Sequence, residues 1–151
     1  MKIIDDARIF QQEQGFTQWT LDYPNLSTIV DDIKIGRGYE LRVGGNLAGY
    51  ACVDFDGEPD YDNIRGAWYS DEKYVVIHRM GLNGEFRGCG LTTKSFKLLE
   101  DIAIKEGVRC IRVDTDPSNK RMQHVLEKNG YKYCGIIAFE GSDKLAYDKI
   151  F

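Results

Sequence analysis

The 151-residue chain lacks several features that would place it in a specialised class of protein. No apolar run approaches the roughly 18 residues of a membrane span, so we expect no membrane partner. Its 20 basic and 24 acidic residues give a net charge of −4, which offers no electrostatic footprint for nucleic acid. The acidic segment Met1–Asp6 has no apolar core of a signal peptide, and we therefore expect a cytoplasmic location.

Cysteine is sparse, and its four copies are scattered along the chain. Cys52, Cys89, Cys110 and Cys134 form no close pair of the kind seen in metal or redox motifs, so we expect no bound metal. Internal repeats, low-complexity tracts and linker-like stretches are absent as well. Residues 1–151 therefore predict one domain. A homodimer is compatible with the sequence, but nothing in the sequence fixes the oligomeric state.

Hydrophobic periodicity and turn residues predict the element order α-α-β-β-β-α-β-α-β-β. The predicted helices cover residues 3–14, the segment between Pro24 and Gly36, the segment from the glycine turn to Gly107, and 122–129. The predicted strands cover 39–43, 48–55, 74–82, 108–113, 131–139 and 144–150, with Glu140–Asp143 between the last two. The unit from 74 to 114 reads strand, turn, helix, strand, which is typical of a parallel pair with a right-handed crossover. The pattern thus predicts a mixed α+β sheet flanked by helices.

The turn after the strand at 74–82 is the most informative segment. It holds Arg87, Gly88 and Gly90 between a buried strand and the start of a helix. Such a turn lets backbone N–H groups converge on an anion at the partially positive end of the helix. The ligand that this arrangement favours is a phosphate or pyrophosphate.

A dinucleotide site is one interpretation of this turn. Thr93 stands where the third glycine of a G-x-G-x-x-G motif belongs, and Asp114, about 20 residues on, would meet a ribose. The two adjacent closing strands argue against such a fold, and no Gly-Lys-Ser/Thr follows to make a Walker loop. A nucleotide-binding oxidoreductase is therefore the weaker alternative.

A second interpretation fits both this turn and a downstream segment. The stretch Arg87–Thr92, followed by Asp114–Asn119 and by Leu126–Tyr131, resembles the GCN5-related N-acetyltransferase (GNAT) superfamily, although Thr92 departs from the family's final small residue. The resemblance implies a central mixed sheet with splayed parallel strands, here without the family's first strand. It implies transfer of an acetyl group from acetyl-CoA directly to a primary amine of a small molecule or peptide.

The resemblance also implies a set of cofactor-binding residues. The backbone of Met80–Leu82 would receive the thioester and the pantetheine arm, the Met80 region would supply the oxyanion donor, and the glycine turn would hold the pyrophosphate. The full cofactor set is Met80, Gly81, Leu82, Arg87, Gly88, Cys89, Gly90, Leu91, Thr92 and Asn119.

Catalytic and acceptor residues are the last group of candidates. His78 shares strand parity with Met80 and is the candidate general base, the alternative being a structural hydrogen-bonding residue. Many GNAT enzymes carry a tyrosine that protonates the leaving thiolate, and Leu126 stands there, which keeps a non-catalytic acyl-CoA-binding module open as an alternative. The candidate acceptor-site residues, each with plain packing or structural anchoring as its alternative, are Trp19, Tyr23, Trp68 and Asp114.

Overall fold

The computed structural model describes residues 1–139 and 141–151, so Glu140, which the sequence places in the connection before the last strand, lies outside the described residues. Over these residues the chain forms four α-helices and seven strands. In chain order they are α1 (Lys2–Glu13), α2 (Leu26–Lys34), β1 (Gly38–Val43), β2 (Asn46–Asp54), β3 (Arg65–Gly66), β4 (Val75–Leu82), α3 (Leu91–Lys105), β5 (Cys110–Thr115), α4 (Lys120–Lys128), β6 (Lys132–Phe139) and β7 (Ser142–Ile150). Two short 3-10 helices cover Pro59–Asn63 and Gly84–Phe86.

The strands form a mixed sheet in the order β1-β2-β4-β5-β7-β6-β3. β4 and β5 are parallel, and their register joins Val75 with Ile111 and Val76 with Arg112. The pairs β1–β2, β5–β7, β6–β7 and β3–β6 are antiparallel. The predicted mixed sheet with flanking helices is confirmed, including the parallel pair that α3 connects.

Contacts divide the described chain into two compact units. The first unit comprises Met1–Val53 and Ile77–Ser95, and the second comprises Asp54–Val76 and Phe96–Phe151. The first unit has a core in which the N-terminal helix packs on α2 and β2. Its buried members are Ile3, Ile4, Trp19, Ile29 and Tyr50.

Helix α2 begins at a capping box. The Asn25 side chain accepts a hydrogen bond from the Thr28 N–H at 3.1 Å, and the Thr28 hydroxyl accepts one from the Asn25 N–H at 3.3 Å. This reciprocal pair satisfies two backbone donors that the helix start would otherwise leave without partners. The helix then buries Ile29 and Asp32. A carboxylate on the buried side of a helix needs partners, and these lie on β2 and β4.

The second unit has its own core, built from Tyr61, Val76, Cys134, Ile137 and Ala146. Its edge strand β3 has two residues and was not predicted from the sequence. Gly66 of β3 lies opposite Gly135 of β6, and both have φ of 145°. A Cβ on Gly66 would lie 2.1 Å from the Cys134 carbonyl oxygen, so the two backbones can approach only because both residues are glycine.

Candidate functional site

The candidate site of the first unit begins where β4 ends. Asn83 follows the strand, and its Oδ1 accepts a hydrogen bond from the Glu85 N–H at 3.1 Å, which starts the 3-10 helix Gly84–Phe86. Its Nδ2 donates to the Leu47 carbonyl at 3.2 Å, and its own N–H donates to the Ala48 carbonyl at 2.8 Å. One buried asparagine therefore fixes the exit of β4 against β2 and directs the chain into the turn.

The glycine turn opens α3 as the sequence predicted. Gly88 and Gly90 have φ of 80° and 73°, in the left-handed region that glycine enters without a steric cost. A Cβ built on either would meet no atom within 4 Å, so the turn needs glycine for its conformation rather than for space. The Lys94 N–H donates to the Gly90 carbonyl at 3.4 Å, so the amides of Leu91 and Thr92 precede the helix's internal bonds and point out of its N-terminus. This is a backbone arrangement suited to an anion.

Arg87 makes contacts with α1. Its Nη2 donates to the Asp6 carbonyl at 2.9 Å, and its Cζ lies 4.2 Å from the centroid of the Phe10 ring. The sequence predicted Arg87 as a phosphate ligand, and the structure adds an anchoring role that joins the glycine turn to the first helix. Neighbouring Cys89 is exposed, and its thiol donates to the Phe86 carbonyl at 2.7 Å.

The end of β4 packs closely under α1. A Cβ on Gly81 would lie 3.3 Å from Ile3 Cγ2 and 3.4 Å from Ala7 Cβ, so glycine lets the helix approach the strand. Met80 and Leu82, on either side of Gly81, are half-buried. The candidate thioester segment is thus built on a strand whose Gly81 position leaves little room for a side chain.

Arg79 interrupts the regular geometry of β4. Its φ is 51°, an uncommon value for a residue with a side chain. The alternation of side chains that placed His78 and Met80 on one face assumes continuous extended backbone. The argument that placed His78 and Met80 on one face therefore does not apply, because Arg79 lies between them. Arg79 itself was not identified from the sequence.

A buried cluster holds the Arg79 side chain in place. Its Nε and Nη2 donate to the two carboxylate oxygens of Asp32 at 2.9 and 2.6 Å, and its Nη1 donates to the Tyr23 hydroxyl at 2.8 Å. Asp32 also accepts from the Tyr50 hydroxyl at 2.7 Å and from the Cys52 thiol at 3.5 Å. The two charged side chains are 6% and 13% exposed, so this is a desolvated, bidentate ion pair.

The charges of the cluster follow from these contacts. Burial by itself would raise the pKa of Asp32, but hydrogen bonds from Arg79 and Tyr50 outweigh it, and the pKa lies below its ordinary value. Burial would lower the pKa of Arg79, but its hydrogen bond to Asp32 raises it. Burial and the adjacent Asp32 carboxylate both raise the pKa of Tyr50. At neutral pH the cluster therefore holds one carboxylate, one guanidinium and a neutral phenol.

His78, the candidate base, lies next to this cluster. Burial, together with the positive charge of Arg79, lowers the pKa of His78 to about 4 against the opposing effect of Asp32. The imidazole is therefore neutral at neutral pH and has a lone pair to accept a proton. It is also a much weaker base than an ordinary histidine.

Comparison with known proteins identifies the family of the chain. Residues 6–131 match the sequence profile of the acetyltransferase (GNAT) family. The chain belongs to the GNAT acetyltransferase family. Its members are acyltransferases, and the catalysed reaction is therefore an acyl transfer.

One solved structure supports the same assignment, and two others share the fold. A GNAT family acetyltransferase from Streptococcus agalactiae 2603 is 38% identical, with 99% of this chain and 86% of that chain covered and a TM-score of 0.88. A GNAT family acetyltransferase from Listeria monocytogenes 4b F2365 is 21% identical, with coverage of 99% and 86% and a TM-score of 0.75. An aminoglycoside acetyltransferase in complex with coenzyme A is 22% identical, with coverage of 96% and 84% and a TM-score of 0.65. A comparison with curated proteins gives no match.

In this GNAT protein, the acceptor candidates of the first unit differ in their surroundings. Trp19 is 7% exposed and belongs to the core cluster, and its backbone N–H donates to the Gln11 Oε1 at 2.9 Å. Tyr23 is half-buried and bonds to Arg79 through its hydroxyl. Packing thus accounts for Trp19, whereas Tyr23 touches the cluster beside the candidate thioester segment.

The other GNAT site candidates lie in the second unit. Trp68 donates from Nε1 to the Tyr61 carbonyl at 3.0 Å, and the Tyr61 hydroxyl donates to Asp114 at 2.6 Å. The structure therefore connects Trp68 and Asp114 through one buried tyrosine. Asn119 is the N-cap of α4, where its Oδ1 accepts from the Met122 N–H at 3.1 Å.

Two negative findings apply to the described residues of this GNAT chain. Among residues 1–139 and 141–151, no group of three or more His, Cys, Asp or Glu side chains is arranged to hold a metal ion. Within the same ranges, every helix is too short or too polar to cross a membrane.

Proposed function

We propose that this GNAT protein is an N-acetyltransferase that moves an acetyl group from acetyl-CoA to a primary amine of a small molecule or peptide. The observation that carries the proposal is the pair of left-handed glycines, Gly88 and Gly90, which lead from the 3-10 helix after β4 into α3. The aminoglycoside acetyltransferase with the same fold is in complex with coenzyme A. Bound acetyl-CoA supplies an activated thioester, and the chain's own residues supply the rest.

The cofactor end uses mainly backbone groups. Amides of residues 88–92 and the helix N-terminus bind the pyrophosphate, and Arg87 holds this turn against α1. Met80–Leu82 pair with the pantetheine arm along β4, and the Met80 N–H stabilises the oxyanion that forms on the thioester carbonyl. Asn119, at the start of α4, is a further cofactor contact in this proposal.

The low pKa of His78 limits which proton this residue can accept from the acceptor amine. An alkyl ammonium has a pKa of about 10.4, and His78 has a pKa of about 4. Direct transfer between them would be uphill by roughly 6 pK units, or about 9 kcal/mol. His78 therefore does not deprotonate the free ammonium. It accepts the proton from the much more acidic nitrogen that forms once the amine has bonded to the thioester carbon, and the amine enters in its neutral form.

The acceptor site adjoins Tyr23, whose hydroxyl is held by Arg79. Trp19 is assigned to packing because it lies in the core cluster. Trp68 and Asp114 remain acceptor-site candidates from the second unit, and their contacts with Tyr61 favour a structural role. The small-molecule class gains support from the aminoglycoside acetyltransferase, since an aminoglycoside is an amine-bearing small molecule.

A matched pair of glycine variants tests the cofactor assignment. Gly88 and Gly107 have φ of 80° and 75°, and a Cβ on either would meet no atom within 4 Å. Gly88→Ala and Gly107→Ala should therefore lose similar stability. Only Gly88→Ala should weaken acetyl-CoA binding in calorimetry, and equal affinities in the two variants would refute the phosphate-loop assignment.

Turnover then separates the candidate functions. Release of CoA thiol that depends on one member of an amine panel supports the transferase. Tight CoA binding without turnover with any amine supports the acyl-CoA-binding module that Leu126 left open. Thermal stabilisation by CoA without any effect of NAD would exclude the nucleotide-binding oxidoreductase.

A further inference from the structure

The Asp32–Arg79 pair combines two unfavourable features in one place. Asp32 is an ionised carboxylate that is 5% exposed, and Arg79 is a residue with a side chain at φ of 51°. Backbone strain of this kind costs on the order of 1–3 kcal/mol and persists only where surrounding contacts hold it. Buried ion pairs contribute little net stability compared with well-packed apolar residues. A contribution to stability alone therefore does not explain why the chain has both the buried carboxylate and the left-handed arginine.

The position of Arg79 gives a better account. The Met80 N–H belongs to the peptide group that follows the Arg79 Cα, so the backbone conformation at Arg79 sets the direction of that N–H. In an extended strand this peptide group would point along the sheet's hydrogen-bonding direction. The left-handed conformation turns it out of that direction. The Arg79 side chain is held by groups far away in the sequence, namely Asp32 and Tyr23.

We propose that Asp32 is a positioning residue for acyl transfer, which holds Arg79 and thereby fixes the left-handed turn of β4 that directs the Met80 N–H. The proposal rests on the proposed function, because it takes the Met80 N–H as the oxyanion donor. Asp32 is itself fixed from two sides, since the Tyr50 hydroxyl and the Cys52 thiol donate to it from β2. Tyr23 receives the remaining contact of Arg79 from the loop that precedes α2.

Three variants separate a positioning role from a structural one. Asp32→Ala and Arg79→Ala both remove the side-chain link, and each leaves a residue with a Cβ at position 79. Turnover should fall about 10- to 100-fold, because small displacements of a catalytic group cost this much. Affinity for CoA without the acetyl group should change much less than turnover, since the glycine turn that holds the pyrophosphate is untouched.

Arg79→Gly is the decisive variant. Glycine enters the left-handed region without a Cβ penalty, so the turn can form without the link. Arg79→Gly should therefore retain much more turnover than Arg79→Ala, although both lose the same ion pair. In the Arg79→Gly background, adding Asp32→Ala should cause no further loss. Equal activities of the glycine and alanine variants would overturn the proposal.

Glu100→Gln is the matched control. Glu100 forms an ion pair with Lys149, and its side chain is 6% exposed, the same as that of Asp32. This variant should lower the melting temperature and leave the turnover of folded protein unchanged. If Asp32→Ala behaves in the same way, its role is structural and the proposal fails.

A measurement that does not require turnover tests the role of Asp32 independently of the proposed function. In ¹⁵N-labelled protein, Asp32→Ala should shift the amide resonance of Met80, whereas Glu100→Gln should not. An unmoved Met80 resonance in Asp32→Ala refutes the link even if wild-type protein transfers acetyl groups. Absence of transfer to any amine, with the Met80 resonance displaced, would instead refute the oxyanion-donor assignment and leave the link to Arg79 established.

Discussion

His78 should make the protein sensitive to acid over a defined pH range. Its native pKa is about 4, whereas an imidazole in the unfolded chain titrates at about 6.5. Between these values the unfolded state binds a proton that the native state does not bind. Stability therefore falls as the pH decreases from 6.5 to 4.

The magnitude follows from the difference between the two pKa values. A shift of about 2.5 units corresponds to roughly 3 kcal/mol, with a slope of at most about 1.4 kcal/mol per pH unit. Asp32 contributes in a separate range, because its lowered native pKa affects stability only below the unfolded value of 3.8. We therefore assign most of the loss between pH 6.5 and 4 to the half-buried imidazole of His78.

Urea unfolding at half-unit pH steps measures this effect. His78→Gln should flatten the dependence of the free energy of unfolding between pH 6.5 and 4, whatever its effect on absolute stability. His124→Gln, which removes the other histidine from an exposed position on α4, is the control. Parallel curves for wild type and His78→Gln, or the same flattening in His124→Gln, would refute the burial argument.

Three further predictions concern Gly66, Trp19 and Arg87. Gly66→Ala should destabilise the second unit far more than Gly44→Ala destabilises the first, because its Cβ would lie 2.1 Å from a carbonyl oxygen whereas Gly44 has open space; chemical denaturation compares them. Trp19→Ala should cost about 3–5 kcal/mol of unfolding free energy through the cavity that it leaves, and a loss below 1 kcal/mol would place its ring outside the core. Arg87→Ala should weaken acetyl-CoA binding. Arg87→Lys should restore only part of the affinity, because lysine lacks the planar guanidinium that lies over the Phe10 ring. Unchanged dissociation constants in calorimetry would exclude a role of this anchor in cofactor binding.

The segment from β4 to β5 could be predicted from the sequence because its signals are local. An apolar run, two glycines and helical apolar spacing predicted a strand at 74–82 and a helix ending at Gly107, and the structure has Val75–Leu82 and Leu91–Lys105. The Gly44–Gly45 hairpin turn is equally local, with φ of 56° and 81° in a turn that favours left-handed residues. In contrast, β3 has only two residues and shows no period that a sequence pattern could reveal.

The Arg79 turn could not be predicted in this way. Nothing in the neighbouring sequence disfavours extended backbone at an arginine, and the carboxylate that binds the Arg79 side chain belongs to Asp32, 47 positions away. Asp32 did give a signal that the sequence analysis passed over. It lies three residues after buried Ile29, so helical geometry places a carboxylate on the apolar side of α2. A charged residue at such a position predicts a buried partner, although the sequence does not say which one.

The absence of a tyrosine at position 126 argues only weakly against an enzyme once the structure and the chemistry are considered. Leu126 is fully buried in the second unit, and Tyr131 is 3% exposed with its ring 5.2 Å from that of Phe96. Burial and the charge of Glu100 raise the pKa of the Tyr131 phenol, so it stays protonated and packed in the core. A thiol with a pKa of about 8.5 leaves as thiolate without an acid, whereas an ammonium with a pKa of about 10.4 cannot attack until it loses its proton. In the proposed mechanism, the reaction therefore depends more on the supply of neutral acceptor amine than on any group at position 126.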